Sequence, residues 1–142
     1  MKLVQIGNAG HSGYAYKGIK AHNIDFSAIS PGSAGIEAEG TESTYRSLQN
    51  RGFSPKLYAD YKEMFESEKP DIAIVDPWFN DHGKISLFAL EHGINVFCDK
   101  PVAISVDDGA RIVSAVKQYG VPFLTTFPVR FSDAVLRTKK MI

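Results

Sequence analysis

Short apolar runs alternate with longer amphipathic segments along the whole chain, and this alternation restricts the fold more than any single motif does. Leu3–Ile6 (LVQI), Phe26–Ile29 (FSAI), Ile72–Val75 (IAIV), Ile94–Phe97 (INVF) and Pro122–Thr125 (PFLT) are each too short for a helix and mostly lack polar alternation. Such runs suit parallel strands covered on both faces. Lys56–Tyr58, after Pro55, is a weaker strand candidate.

The intervening segments have helical length. Asp60–Lys69 places Tyr61, Met64 and Phe65 on one face and is stopped by Pro70. Asp81–His92 turns Ile85, Phe88 and Ala89 inward and ends at Gly93, a natural C-terminal cap. A third helix opens at Ser105 with SVDD, close to a capping box, and carries Ile112, Val113, Val116 and Tyr119 before Gly120. The pattern predicts βαβ units: an α/β fold with a doubly wound parallel sheet of about six strands and helices on both faces. Pro31–Gly40 (PGSAGIEAEG) reads as a long loop or a loosely ordered flap.

Composition narrows the partners. Sixteen basic and sixteen acidic side chains cancel, so no charge excess marks a nucleic-acid or membrane surface. No apolar stretch reaches the length of a membrane span, and MKLVQIGNAG does not read as a signal peptide. The single Cys98 excludes an internal disulfide and fits a reducing, cytoplasmic setting. As the thiol follows an apolar run, an inert core residue is the expected role. No spacing of His, Cys and carboxylates suggests a metal site.

The first apolar run leads directly into GNAGHSG, residues 7–13, and then into a helix-like YAYKGIKAH. Glycines here let the backbone turn tightly and approach a ligand, and the following helix start offers free N–H groups to a phosphate. Gly7, Asn8, Ala9, Gly10, His11 and Ser12 are therefore candidate cofactor-binding residues. The spacing is G-x-x-G-x-x-G, with Ala9 where the second glycine of the usual dinucleotide fingerprint stands. At the end of the second run, Ser30 occupies the place where an Asp or Glu would read the 2′-hydroxyl of NAD. No Arg or Lys follows at once to hold the 2′-phosphate of NADP, so both cofactors stay open.

The fourth apolar run, Ile94–Phe97, leads into VFCDKP, which sets Lys100 between Asp99 and Pro101 at a strand exit. Taken with IAIVDPWF, with Asn80, His82, ALEHG, and the helix beginning ISVDD, this stretch resembles the Gfo/Idh/MocA oxidoreductases, the family of glucose–fructose oxidoreductase and inositol dehydrogenase. Ala89, Leu90, Gly93, Val96, Asp99, Lys100 and Pro101 stand in that family's A-L-x-x-G and x-V-x-x-E-K-P positions, with Asp99 in place of Glu. Val129-Arg130-Phe131 is similar to its x-x-R-[FY].

The resemblance implies a Rossmann domain over residues 1–131 that binds NAD or NADP, and the start of a linking helix over 132–142. It also implies a substrate and dimerisation domain that this sequence lacks, so the piece alone is expected to be inactive. In the family, Lys100 would be the catalytic residue beside the nicotinamide ribose and a sugar, cyclitol or polyol substrate. Asp99 would hold that lysine, and Pro101 would follow a cis peptide. Asp76, Pro77, Trp78 and His82 would complete the cofactor site, and the full-length family is expected to be homo-oligomeric.

Plainer readings stand beside these. Lys100 is otherwise a solvated loop charge. His11 either touches the pyrophosphate or fills space. His82 reads as a hydrogen-bonding residue at a helix start, Trp78 and Phe79 as packing residues, and Arg130 as structural. Two competing functions remain: a nucleotide-sensing or binding module without chemistry, kept open by Ser30 and the glycine spacing, and a dihydrodipicolinate reductase-like enzyme.

Overall fold

The computed structural model describes residues 1–32 and 38–142. Six parallel strands form one sheet: β1 (Lys2–Ile6), β2 (Asp25–Ser30), β3 (Lys56–Leu57), β4 (Ile72–Val75), β5 (Asn95–Cys98) and β6 (Phe123–Thr125). Their spatial order is β3-β2-β1-β4-β5-β6, so the chain winds outward in both directions from the β1–β4 pair. Among the helices are α1 (Ala15–Ala21), α2 (Ala38–Asn50), α3 (Tyr61–Glu68), α4 (Phe79–Glu91), α5 (Val106–Tyr119) and α6 (Asp133–Met141). Short 3-10 turns at Ser12–Tyr14 and Pro128–Phe131 precede α1 and α6.

Alternation along each strand splits the core into two layers. Val4, Ile6, Ala73, Val75, Val96 and Cys98 face α3, α4 and α5 through Met64, Phe65, Ile85, Leu90 and Ile112. Leu3, Ile29 and Ile74 face the other way, onto Tyr16 and Ile19 of α1 and Leu48 of α2. A register shift between Leu3 and Val4 makes the β1–β2 ladder skip Ser27, so Phe26 and Ile29 share one face while Ala28 takes the other. Full burial of side chains such as Ile6, Ile74 and Leu90 stabilises the fold by about 1.5–3 kcal/mol each.

Helix ends follow the sequence signals. Asp60 caps α3, its carboxylate accepting from the Lys62 and Glu63 N–H groups, and Ser105 caps α5 by accepting from Asp108 N–H. Gly93 (φ 73°) lies just beyond α4, as expected of a glycine stop. Lys69 itself closes α3 in the left-handed conformation, one residue before Pro70.

Two expectations need correction. In α5, Ile112 is buried and Val116 packs against the core as expected, but Ala115 completes the stripe while Val113 and Tyr119 are exposed. Helix α2 was not anticipated. Its segment, ending TESTYRSLQN, is polar and β-branched, with Leu48 its only fully buried apolar side chain among the described residues. Of the loop or flap expected over Pro31–Gly40, residues 33–37 lie outside the described residues, and 38–40 are the first turn of α2 instead.

Candidate functional site

Every candidate residue sits at the carboxyl edge of the sheet, where β1 and β4 part and the strand order reverses. Open α/β sheets bind ligands at such a switch point. Backbone bonds stitch the edge together. Gly7 N–H donates to Ser30 O (2.8 Å), Asp76 N–H to Ile6 O (2.8 Å), Ala9 N–H to Asp76 O (2.7 Å) and Asp99 N–H to Val75 O (2.9 Å).

Two glycines make the turn possible. Gly7 has φ 71°, and a Cβ there would run into the backbone of Pro77. Gly10 is exposed on its outer side, but a Cβ would collide with the carboxylates of Asp99 and Asp76. Those two buried carboxylates shape the turn from below. Asp76 accepts from Ser12 N–H (2.9 Å), and Asp99 accepts from His11 N–H (3.1 Å) and meets His11 Nδ1 at 3.0 Å. Thr126 Oγ1 donates to the other oxygen of Asp99.

The two acids titrate in opposite directions. Burial raises the Asp76 carboxyl above the ordinary range, and the nearby Asp99 charge adds to this; the Ser12 bonds and His82 oppose it without winning. Burial also pushes on Asp99, but hydrogen bonds from Thr126, His11 and the Lys100 N–H outweigh it and hold that carboxyl below its usual value. Burial drives the Cys98 thiol up to about 12.

Asp99 therefore serves Lys100 differently from expectation. Its carboxylate is turned inward to His11 and Thr126, and it meets Lys100 through that residue's backbone N–H. The Lys100 side chain is exposed, with Nζ 5.5 Å from the centroid of the Phe79 ring, a cation–π distance. The Lys100–Pro101 peptide is cis. His82 is fully buried and its ring bridges two carbonyls, Nε2 to Pro77 O (2.9 Å) and Nδ1 to Pro101 O (2.5 Å), tying the start of α4 to the segment after Lys100. Trp78 and Phe79 are half exposed beside it.

Among the candidate residues, Ala9, Gly10, Trp78, Lys100 and Pro101 face solvent, and Asn8 and His11 are partly exposed. Gly7, Ser12, Ser30, Asp76, Pro77, His82 and Asp99 are inside, where their side chains build the edge rather than line it. Asn8 reaches sideways, its Nδ2 donating to Gly40 O (2.9 Å) and Thr44 Oγ1 (2.6 Å) of α2. A cavity of about 490 Å³ is lined by His11, Lys100, Thr126, Phe127, Pro128, Val129 and Arg130.

Sequence reasoning missed Gln5, which is buried in β1 and donates to Gly7 O (2.8 Å) and Ser12 Oγ (3.1 Å) while accepting from Tyr16 OH. Its signal was visible as the one polar residue in LVQI. Thr126 was missed as well, since only the fold brings it to Asp99.

The residues present fit a dinucleotide. Small, exposed Ala9 and Gly10 leave the turn open to close approach, and the buried Ser30 hydroxyl at the end of β2 has no hydrogen-bond partner among the described residues. Ser30, Pro31 and Gly32 carry neither a carboxylate nor a cation. Among the described residues no group of His, Cys, Asp and Glu could hold a metal, and no helix is long and apolar enough to cross a membrane.

Comparison with known proteins places this edge in a family. The chain is 29% identical over 98 residues to an inositol 2-dehydrogenase of Ralstonia nicotianae, covering 69% of this chain and 29% of that protein. It is 33% identical over 87 residues to an uncharacterized oxidoreductase of Streptococcus pneumoniae, 61% of this chain and 24% of the relative. A solved Thermotoga maritima structure described as an oxidoreductase superposes with TM-score 0.90 at 32% identity, covering 99% of this chain and 42% of that one. The fold also matches a myo-inositol 2-dehydrogenase from Lactobacillus plantarum, with TM-score 0.77 at 20% identity, over 99% of this chain and 40% of that one. The chain thus spans well under half the length of these relatives. The profile of the oxidoreductase family with an NAD-binding Rossmann fold, GFO_IDH_MocA, matches residues 10–127, and the chain belongs to that family as its nicotinamide dinucleotide-binding domain.

Proposed function

We propose that this chain is the cofactor-binding part of a cytoplasmic dehydrogenase that transfers hydride between NAD or NADP and a cyclitol, sugar or related polyol. The observation that carries the reading is the placement of Lys100. It is the exposed cation at the exit of β5, set between the buried Asp99 and a cis Pro101, on the cavity beside the glycine turn. Inositol dehydrogenases among the relatives support the substrate class.

The bound nicotinamide would supply the two-electron oxidation. The protein's share is positioning and charge. The Gly7–Ser12 turn would receive the pyrophosphate, Ser30 the adenosine ribose, and Phe79 and Trp78 the wall near Lys100. The Lys100 ammonium would steady negative charge developing on the substrate hydroxyl oxygen. Residues 132–142 would begin the link to the part of the longer relatives that this chain does not span, where the remaining substrate contacts and the contact between subunits of a homo-oligomer would lie.

The test is Lys100→Met in the natural gene product. Turnover of myo-inositol or another polyol falls by about 10²-fold or more, while NADH affinity changes far less. Unchanged turnover would remove Lys100 from the chemistry. A second reading, a binding module without catalysis, is favoured by the His11 and Ser12 amides already being held by Asp99 and Asp76. That reading predicts NADH binding with no polyol oxidation by the natural gene product.

A further inference from the structure

Two buried carboxylates meet under the glycine turn, and one of their oxygens is left without a partner. Asp76 is fully buried and Asp99 nearly so. Asp76 Oδ1 and Asp99 Oδ2 both lie within 2.6 Å of the point where a Cβ on Gly10 would stand, which makes the two oxygens neighbours. Asp99 is well provided for. Its Oδ2 meets His11 N–H (3.1 Å) and Nδ1 (3.0 Å), and Thr126 Oγ1 donates to Oδ1. Asp76 is not. Its Oδ2 accepts from Ser12 N–H (2.9 Å), but Oδ1 has no hydrogen-bond partner among the described residues.

A buried carboxylate oxygen with no donor is unfavourable, and two carboxylate charges so close together are more so. One proton removes both faults. Placed on Asp76 Oδ1, it gives that oxygen a hydrogen to offer the Asp99 carboxylate and leaves a single charge in the pair. The surroundings decide which acid holds it. Burial and the Asp99 charge favour the neutral form of Asp76, whereas hydrogen bonds favour the charged form of Asp99. We propose that Asp76 and Asp99 hold one proton between them, on Asp76 Oδ1, and that this proton lets the turn above accept a pyrophosphate. The effect on pyrophosphate rests on the dehydrogenase reading above; the shared proton does not.

Other titratable groups surround the pair. His11 approaches from the turn and meets Asp99. His82 of α4 acts on Asp76 while its ring bridges Pro77 O and Pro101 O. The Cys98 thiol of β5 is buried and pushed up to about 12, so it stays neutral. Tyr16 OH, from α1, is bonded to Gln5 Oε1, and the Lys100 ammonium lies over the Phe79 ring. As pH rises, the Asp76 proton passes to solvent and a second carboxylate charge appears beneath Gly10. Asp76 then repels Asp99, and the field above the turn opposes an anion. Cofactor affinity is therefore highest while Asp76 is neutral and declines as it ionises. Neither acid touches the cofactor in this scheme; both act through the turn that they support.

Two measurements test it. Carbon-13 NMR of the side-chain carboxyl groups, on this chain without cofactor, reads the proton directly. Asp76 should keep the chemical shift of a neutral acid at a pH where the exposed aspartates are ionised, while Asp99 shows that of a carboxylate. An Asp76 that ionises together with the exposed aspartates would overturn the proposal. NADH titrations across pH read the consequence. Affinity of the unsubstituted chain should weaken by about tenfold or more from mildly acidic to alkaline pH. Asp76→Asn, whose amide imitates the neutral acid, should bind NADH at alkaline pH about as tightly as the unsubstituted chain does in mild acid. Any pH dependence left in that variant should vanish on adding His11→Gln. An Asp76→Asn chain that is folded yet binds no better than the unsubstituted one at alkaline pH would refute the effect on pyrophosphate. No binding of NADH or NADPH at any pH refutes the dehydrogenase reading and that effect with it, while the carboxyl spectrum still decides the shared proton.

Discussion

Gly10 has no side chain because two carboxylates occupy the space where one would stand. Gly10→Ala forces Asp76 or Asp99 to move, and overpacking of this kind costs about 1–3 kcal/mol. Thermal melts of the variant should show that loss, and NADH binding should fall with it; a variant of unchanged melting temperature would contradict the fit. Cys98 offers a contrasting test. Its thiol is fully buried and pushed up to about 12 by burial, so thiol reagents should not label the native protein and should label it only after unfolding. Rapid labelling of the folded chain would show that β5 is open. GNAGHSG and VFCDKP were legible as site segments because each breaks a strand with residues a strand does not need. What could not be read was direction. Nothing in D-K-P says that Asp99 turns inward to His11 and Thr126, because those partners lie 88 and 27 positions away.

At the scale of elements, α3 shows how the ends of the sheet are held. Glu68, near its end, is 4% exposed and accepts from Lys56 Nζ (2.8 Å) and Tyr58 OH (2.8 Å), with Lys2 Nζ at 3.4 Å. Burial alone would raise this carboxyl, but the Lys56 and Tyr58 hydrogen bonds and the lysine charges prevail and bring it from 4.5 down to about 2. A folded-state value below the unfolded one stabilises the protein above the unfolded value and is lost as pH falls toward the folded one. Stability should therefore decline between about 4.5 and about 2 through this group. Glu68→Gln should cost about 1–3 kcal/mol at neutral pH and flatten that part of the curve, as read by urea melts across the range. An unchanged acid limb would mean that the cluster is cosmetic. The capped helices α3 and α5 were readable from Asp60 and Ser105. Helix α2 was not, because it meets the core through Leu48 and is drawn to the turn by Asn8, a contact made across more than thirty residues.

For the whole molecule, the order β3-β2-β1-β4-β5-β6 gathers the ends of β1, β2, β4 and β5 into one crevice. Alternation of strand and helix predicted that sheet because parallel strands need a crossover between each pair, and right-handed crossovers leave few orders to choose from. A patch beside the edge strand β6 stays exposed. Tyr14, Leu124, Phe127 and Phe131 are exposed around a cavity of about 540 Å³ beside β6, where the strand pattern indicated burial on both sides. The central claim is that the crevice binds a nicotinamide dinucleotide, and half-exposed Trp78 at its rim reports on it directly. Titration of the chain with NADH and NADPH, followed by quenching of Trp78 fluorescence with energy transfer to the reduced nicotinamide, should saturate with at least one of them and be lost in Gly10→Ala. A chain that is folded by circular dichroism yet shows no saturable change with either cofactor would contradict the account.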